Sequence, residues 1–136
     1  MKTGCSAIMS CLEVAEASVK DIDFLAMCSC TGYVVFRCGS RLITHMGRKK
    51  NGTESFQHRA GCVGAVPTLQ RAADFVRANP GGKALLLAVE ICSACYFVDH
   101  ALDTVVGNAI CADGAAAFLL GVQEQTGSAL EITPNN

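Results

Sequence analysis

The chain has 136 residues, 51% hydrophobic and 17% charged, with a formal net charge of -1, which suits one domain with a buried core and excludes an intrinsically disordered chain. The one basic block, Arg48-Lys49-Lys50, is too small to point to a nucleic-acid partner, and no apolar run is long enough for a membrane span or follows Met1-Lys2-Thr3 as a signal peptide would. A cytoplasmic protein without a membrane partner is expected, so the nine cysteines (5, 11, 28, 30, 38, 62, 92, 95 and 111) read as reduced thiols rather than a disulfide framework.

Helix and strand patterns alternate along the chain. Ile8, Cys11, Leu12 and Ala15 recur at helical spacing and predict a helix over residues 5–17. After a turn at Asp21-Ile22-Asp23, the apolar run Phe24–Cys28 predicts a strand buried on both faces. Gly32 breaks it, and a helix is expected over Cys38–Met46, ending at Gly47 before the polar stretch Arg48–Thr53. Ser55–His58 reads as a short strand leading into Gly61-Cys62. A long helix follows, with Ala65, Leu69, Ala72, Ala73 and Val76 on one face, and Asn79-Pro80-Gly81-Gly82 ends it. Ala84–Val89 is a second strand of the buried type, Val105–Ile110 looks helical, Asp113-Gly114 is a turn, and Ala115–Leu120 is a third apolar strand. Strands separated by helices imply an α/β fold, a mostly parallel sheet with helices on both faces. Ligands of such sheets bind at the carboxyl ends of the strands.

Cys62 is the leading candidate for chemistry. It stands between a strand and a helix in Ala60-Gly61-Cys62-Val63-Gly64-Ala65, where small neighbours permit a sharp turn that exposes a nucleophile. Amide hydrogens and partial positive charge at a helix start favour a thiolate, and a backbone amide there can bind an oxyanion, so the arrangement suits acyl transfer. The alternative is a buried structural cysteine packed on a Gly-rich turn. Pro67 adds tension, because a helix beginning at Cys62 would find no backbone donor there for the Val63 carbonyl; a regular helix starting nearer Val66 resolves it. Cys28 and Cys30, with Cys92 and Cys95, form C-x-C and C-x-x-C pairs at two strand ends that parallel pairing would bring together. A zinc site is one reading and small buried thiols the other, and the second is favoured, with no metal expected. His45, His58 and His100 sit in ordinary surface or polar settings; His58 alone is near enough in sequence to approach Cys62.

Four stretches, in this order, carry a family resemblance: Ser29-Cys30-Thr31-Gly32; Gly61-Cys62-Val63-Gly64-Ala65; Val89-Glu90-Ile91-Cys92-Ser93-Ala94; and residues 102–117, LDTVVGNAICADGAAA. Together they resemble the amino-terminal half of a chalcone-synthase-like, type III polyketide synthase of the thiolase superfamily. The resemblance covers nearly all of the chain from about Cys11 on, which makes residues 1–136 a partial amino-terminal condensing-enzyme domain. It implies that Cys62 is the nucleophile acylated by coenzyme A thioesters. Cys30, Cys92 and Cys95 fall on positions that line the acyl pocket, where plant members tend to carry threonine. Cys111 falls on a gatekeeper usually filled by phenylalanine. Glu90 and Asp113-Gly114 fall on positions read as structural.

The implied reaction is acyl loading from an acyl-CoA followed by decarboxylative condensation with malonyl-CoA, in a homodimer and with no cofactor. Related condensing enzymes of the ketoacyl synthase III, plant ketoacyl-CoA synthase and hydroxymethylglutaryl-CoA synthase kinds share the nucleophile turn; Glu90–Ser93 and Leu102–Gly107 favour the polyketide branch. The third reading is an inactive fragment. The family's catalytic His and Asn belong to a carboxyl-terminal half, none of the three histidines here matches that His, and the basic residues that receive the coenzyme A phosphates lie upstream. The chain also departs from the family in Cys111 itself, in Val35-Phe36 where Pro is usual, and in a shortening of a couple of residues between Phe97 and Asp103. Exposed apolar surface, self-association and no polyketide product are therefore expected of the 136-residue chain alone.

Overall fold

The computed structural model describes residues 2–31, 54–58, 61–99 and 101–122. The helix expected over Cys38–Met46, the polar stretch Arg48–Thr53, Val35-Phe36, His45 and His100 lie outside the described residues.

Helix α1 (Lys2–Val14) leads through a 3-10 turn (Val19–Asp21) to β1 (Phe24–Cys28). Strand β2 (Glu54–His58) precedes α2 (Ala65–Ala78) and β3 (Lys83–Glu90); a 3-10 turn (Cys92–Cys95), α3 (Leu102–Ile110) and β4 (Gly114–Gly121) follow. The four strands form one sheet in the order β2-β1-β3-β4. β1 is parallel to both neighbours, with Cys28 opposite His58 and Ala88, whereas β4 runs antiparallel to β3. The sheet is thus mostly parallel, as expected, with one reversed strand.

The strand period of two sorts the apolar side chains between two cores. Leu25 and Met27 of β1 and Leu85 and Leu87 of β3 pack with Ile8, Cys11 and Leu12 of α1. Phe24, Ala26, Ala84 and Leu86 point to the other face and pack with Ala72, Ala73 and Val76 of α2. Both strands therefore need apolar residues at successive positions, and every residue of β1 is buried. Full burial of a side chain such as Ile8, Met27 or Leu87 contributes roughly 1.5–3 kcal/mol. Helix α1 comes so close to β3 that a Cβ on Gly4 would stand 3.4 Å from Leu87 Cδ2.

Two expectations are corrected, one for α1 and one for β3. Helix α1 ends at Val14 rather than reaching residue 17, because Glu16 takes a left-handed φ of 48° and the Ala17 amide bonds back to the Leu12 carbonyl at 2.9 Å. This is the helix-ending geometry that glycine usually supplies, and no glycine announced it. The run Ala84–Val89, expected to be buried throughout, is buried only over Ala84–Leu87, and Ala88 and Val89 are partly exposed towards the carboxyl end of β3.

The two central strands are laced at their amino ends as well as paired. The Asp23 amide donates to the Lys83 carbonyl at 2.9 Å, and the Asp23 carboxylate accepts from the Lys83 amide at 3.0 Å. Matching ties at the opposite ends build the candidate site.

Candidate active site

Parallel pairing sends the carboxyl ends of β1, β2 and β3 to one edge of the sheet, and antiparallel β4 starts from that same edge, with Gly114 opposite Glu90. Cys30 follows β1, Cys62 follows β2, Cys92 and Cys95 bound the turn after β3, and Cys111 precedes β4. All five predicted site residues therefore belong to this edge, where a sheet of this kind receives its ligand.

A carboxylate ties the two central strand ends together. Glu90, the last residue of β3, accepts the Cys30 amide at 2.7 Å through Oε1, and the Thr31 amide at 3.0 Å and Thr31 hydroxyl at 2.7 Å through Oε2. The Thr31 Oγ1 in turn accepts the Ile91 amide at 2.7 Å. Partial burial works to raise the Glu90 pKa, but these donors outweigh it and hold the carboxyl below its usual range. The Cys95 thiol donates to the Thr31 carbonyl at 3.6 Å, which ties the turn after β3 to the segment after β1.

A second carboxylate secures the other side. Asp113 accepts from the Ser93 amide at 2.8 Å and the Ser93 hydroxyl at 2.7 Å. The Ser93 amide and then its hydroxyl hold the Asp113 carboxyl below its usual range. The Tyr96 hydroxyl donates to the Cys111 carbonyl at 2.8 Å, and Asn108 Nδ2 to the Phe97 carbonyl at 2.7 Å. The turn holding Cys92 and Cys95 is thereby fixed to the segment holding Cys111. Desolvation, together with nearby Cys111, Glu90, Asp113 and Cys95, pushes the Cys92 thiol up.

Cys62 sits on a turn of its own. The Gly64 amide donates to the Gly61 carbonyl at 3.0 Å, closing a turn with exposed Cys62 at its second position. Gly61 has φ 59°, the left-handed region that suits a residue without a Cβ. Helix α2 begins at Ala65, past the turn, which resolves the tension at Pro67. Pro67 lies in the first helical turn, where backbone donors have no partner within the helix, and the Val66 amide serves the Val63 carbonyl instead, at 3.1 Å.

Sequence reasoning missed the roles of Thr31 and Ser93, and took Glu90 and Asp113 as structural without partners. Hydroxyl residues just past a strand were the available signal. Of the two cysteine pairs at the ends of β1 and β3, Cys28 alone is buried, which departs from the expectation of small buried thiols; Cys30 and Cys95 are exposed. Among the described residues, no group of three or more His, Cys, Asp or Glu side chains is arranged to hold a metal ion, and no helix is long and apolar enough to cross a membrane.

Comparison with known proteins agrees with this architecture. The chain is 32% identical over 127 residues to 1,3,6,8-tetrahydroxynaphthalene synthase of Streptomyces coelicolor, covering 93% of this chain and 34% of that protein. The crystal structure of that synthase, a bacterial type III polyketide synthase, superposes with a TM-score of 0.77 over 90% of this chain and 35% of its own length. The type III polyketide synthase domain of Steely1 from Dictyostelium superposes with a TM-score of 0.80 at 25% identity, over 98% of this chain and 36% of that one. The chain thus spans about a third of the length of the relatives it matches. Residues 1–124 match the amino-terminal domain of the chalcone and stilbene synthases, and the chain belongs to that type III polyketide synthase family.

Proposed function

We propose that Cys62 is the acyl-accepting nucleophile of a type III polyketide synthase and that Cys30, Cys92, Cys95 and Cys111 form part of the wall around the bound acyl group. The observation that carries this reading is the turn. An exposed thiol stands at the second position of a closed Gly61–Gly64 turn, just ahead of a helix, on the sheet edge where the other four cysteines gather.

The Cys62 thiolate attacks the carbonyl carbon of an acyl-CoA, and amides of the turn can donate to the oxygen as it takes up negative charge. Collapse of the tetrahedral adduct expels the coenzyme A thiolate and leaves the acyl group on sulfur. Malonyl-CoA then loses carbon dioxide, and the resulting enolate attacks the thioester carbon and frees the Cys62 thiolate. The family resemblance assigns this second stage to a His and an Asn outside the matched region. The 136-residue chain is therefore expected to stop at acyl loading and to form no condensation product. The names of its relatives, such as 1,3,6,8-tetrahydroxynaphthalene synthase and phloroglucinol synthase, support hydroxylated aromatic products for the whole enzyme, which we take to be a homodimer.

The test is intact-protein and peptide mass spectrometry after incubation with acyl-CoA and malonyl-CoA. Whatever its yield, the acyl adduct is expected on Cys62 and absent from Cys62→Ala. An adduct on Cys92 or Cys95 with Cys62 unmodified would overturn the assignment.

A further inference from the structure

The turn after β3 carries two thiols that its geometry sets one above the other. Cys92 and Cys95 are the first and last residues of the 3-10 turn Cys92–Cys95. Side chains at i and i+3 of such a turn eclipse, and a rise of about 2.0 Å per residue separates the two Cα atoms by only about 6 Å. Disulfide-bonded cysteines have Cα atoms roughly 4.4–6.8 Å apart, so the pair stands within bridging range. Ser93, between them, is held elsewhere, its amide and hydroxyl both donating to Asp113. The face that carries the thiols is turned towards the segment after β1, where the Cys95 sulfur reaches the Thr31 carbonyl at 3.6 Å. Both thiols are accessible, Cys95 exposed and Cys92 partly so. Lining an acyl pocket calls for small side chains here; it does not call for two sulfurs in register.

We propose that Cys92 and Cys95 are a redox-active dithiol that a peroxide converts reversibly into a disulfide within the turn. The thiolate of exposed Cys95 attacks one oxygen of hydrogen peroxide; the O–O bond breaks, hydroxide leaves and takes up the proton that Cys95 released, and the sulfur becomes a sulfenic acid. The Cys92 thiol then attacks that sulfur, the S–O bond breaks, and the Cys92 proton leaves with the oxygen as a second water while the S–S bond forms. Two thiols thus give up two electrons and two protons for each peroxide reduced to two waters. Cys92 takes the second role because desolvation, and then nearby Cys111 and Glu90, push its thiol up and lower its thiolate fraction. The bridge consumes the Cys95 S–H that donates to the Thr31 carbonyl, so it alters the tie between this turn and the segment after β1. A disulfide on an exposed turn is of the labile kind that thiols reverse. Its bearing on polyketide formation rests on the reading of these cysteines as acyl-pocket wall; the bridge itself does not.

The test is stepwise oxidation of the 136-residue chain with hydrogen peroxide, blocking of free thiols with N-ethylmaleimide, and peptide mass spectrometry without reduction. Cleavage after Glu90 and Glu124 releases residues 91–124, which contain Cys92, Cys95 and Cys111. This peptide should be the first to lose two hydrogens, should carry maleimide on Cys111 alone, and should give no fragment ions from between Cys92 and Cys95. Dithiothreitol should restore both thiols. In Cys92→Ser the same dose should leave Cys95 as a sulfenic acid that dimedone traps, and in Cys95→Ser oxidation at Cys92 should fall at least about fivefold. A first disulfide to Cys111, to Cys62 or to a second chain, Cys95 carried to sulfinic acid without bridging, or a pair that peroxide leaves as free thiols would each overturn the proposal. The parent chain supplies the deciding map, so a serine variant that does not fold leaves the test intact. No acyl-CoA is present, so a failure of Cys62 to accept an acyl group and a failure of the bridge are read separately.

Discussion

Replacing Glu90 should unfasten the ends of β1 and β3 together. Its carboxylate accepts two amides and one hydroxyl that belong to residues some sixty positions away, and Thr31 returns a bond to Ile91. At about 1 kcal/mol of net stabilisation for each bond, discounted because the site is partly exposed and water can take up the freed donors, Glu90→Ala should lose about 2 kcal/mol. For a chain of this size that is a fall in melting temperature of roughly 6–10 °C. Glu90→Gln retains one acceptor oxygen but turns an amide group towards one of the donors, so about half of the loss is expected. The charge also sets a pH dependence. The folded-state pKa of Glu90 lies below its ordinary value, so its contribution is complete above the unfolded glutamate pKa of about 4.3 and is lost as pH falls through the lower folded value. Thermal unfolding from neutral to acid pH should therefore show a shallower acid loss in Glu90→Gln than in the parent. An Ala variant that melts with the parent, or an acid limb of the same slope in Gln, would refute this account of the strand ends.

Other substitutions probe single features. Gly61 and Gly107 both have open space where a Cβ would go, but only Gly61 has a left-handed φ. Gly61→Ala should lose about 1 kcal/mol and Gly107→Ala, inside α3, should gain about 0.5–1 kcal/mol; denaturant titration giving both the same sign would contradict the backbone argument. Limited iodoacetamide labelling should reach exposed Cys62 before Cys11, Cys28 and Cys92, whose thiols are pushed up chiefly by desolvation; preferential labelling of Cys92 would contradict it. Helix α3 has no buried residue and exposes Leu102, Val105, Val106 and Ile110, so Leu102→Lys with Ile110→Glu should shift the sedimentation of the chain towards monomer, and an unchanged distribution would place self-association elsewhere.

Local pattern alone determined a good part of this protein. The run Phe24–Cys28 is β1 to the residue, and the helical spacing of Ala72, Ala73 and Val76 marks the face that α2 buries. The small residues around Cys62 mark the strand-to-helix turn, and the motif stretches identify the family. These features are legible because side-chain period and the special backbone freedom of glycine act over a few residues. Tertiary structure alone decided the rest. That β4 reverses against β3 and that Glu90 receives Cys30 and Thr31 depend on which distant segments lie side by side. A strand's sequence states which of its residues are buried; its neighbour and register are chosen by the packing of the whole sheet between α1 and α2, and the polar ties of the site form only once that register is set.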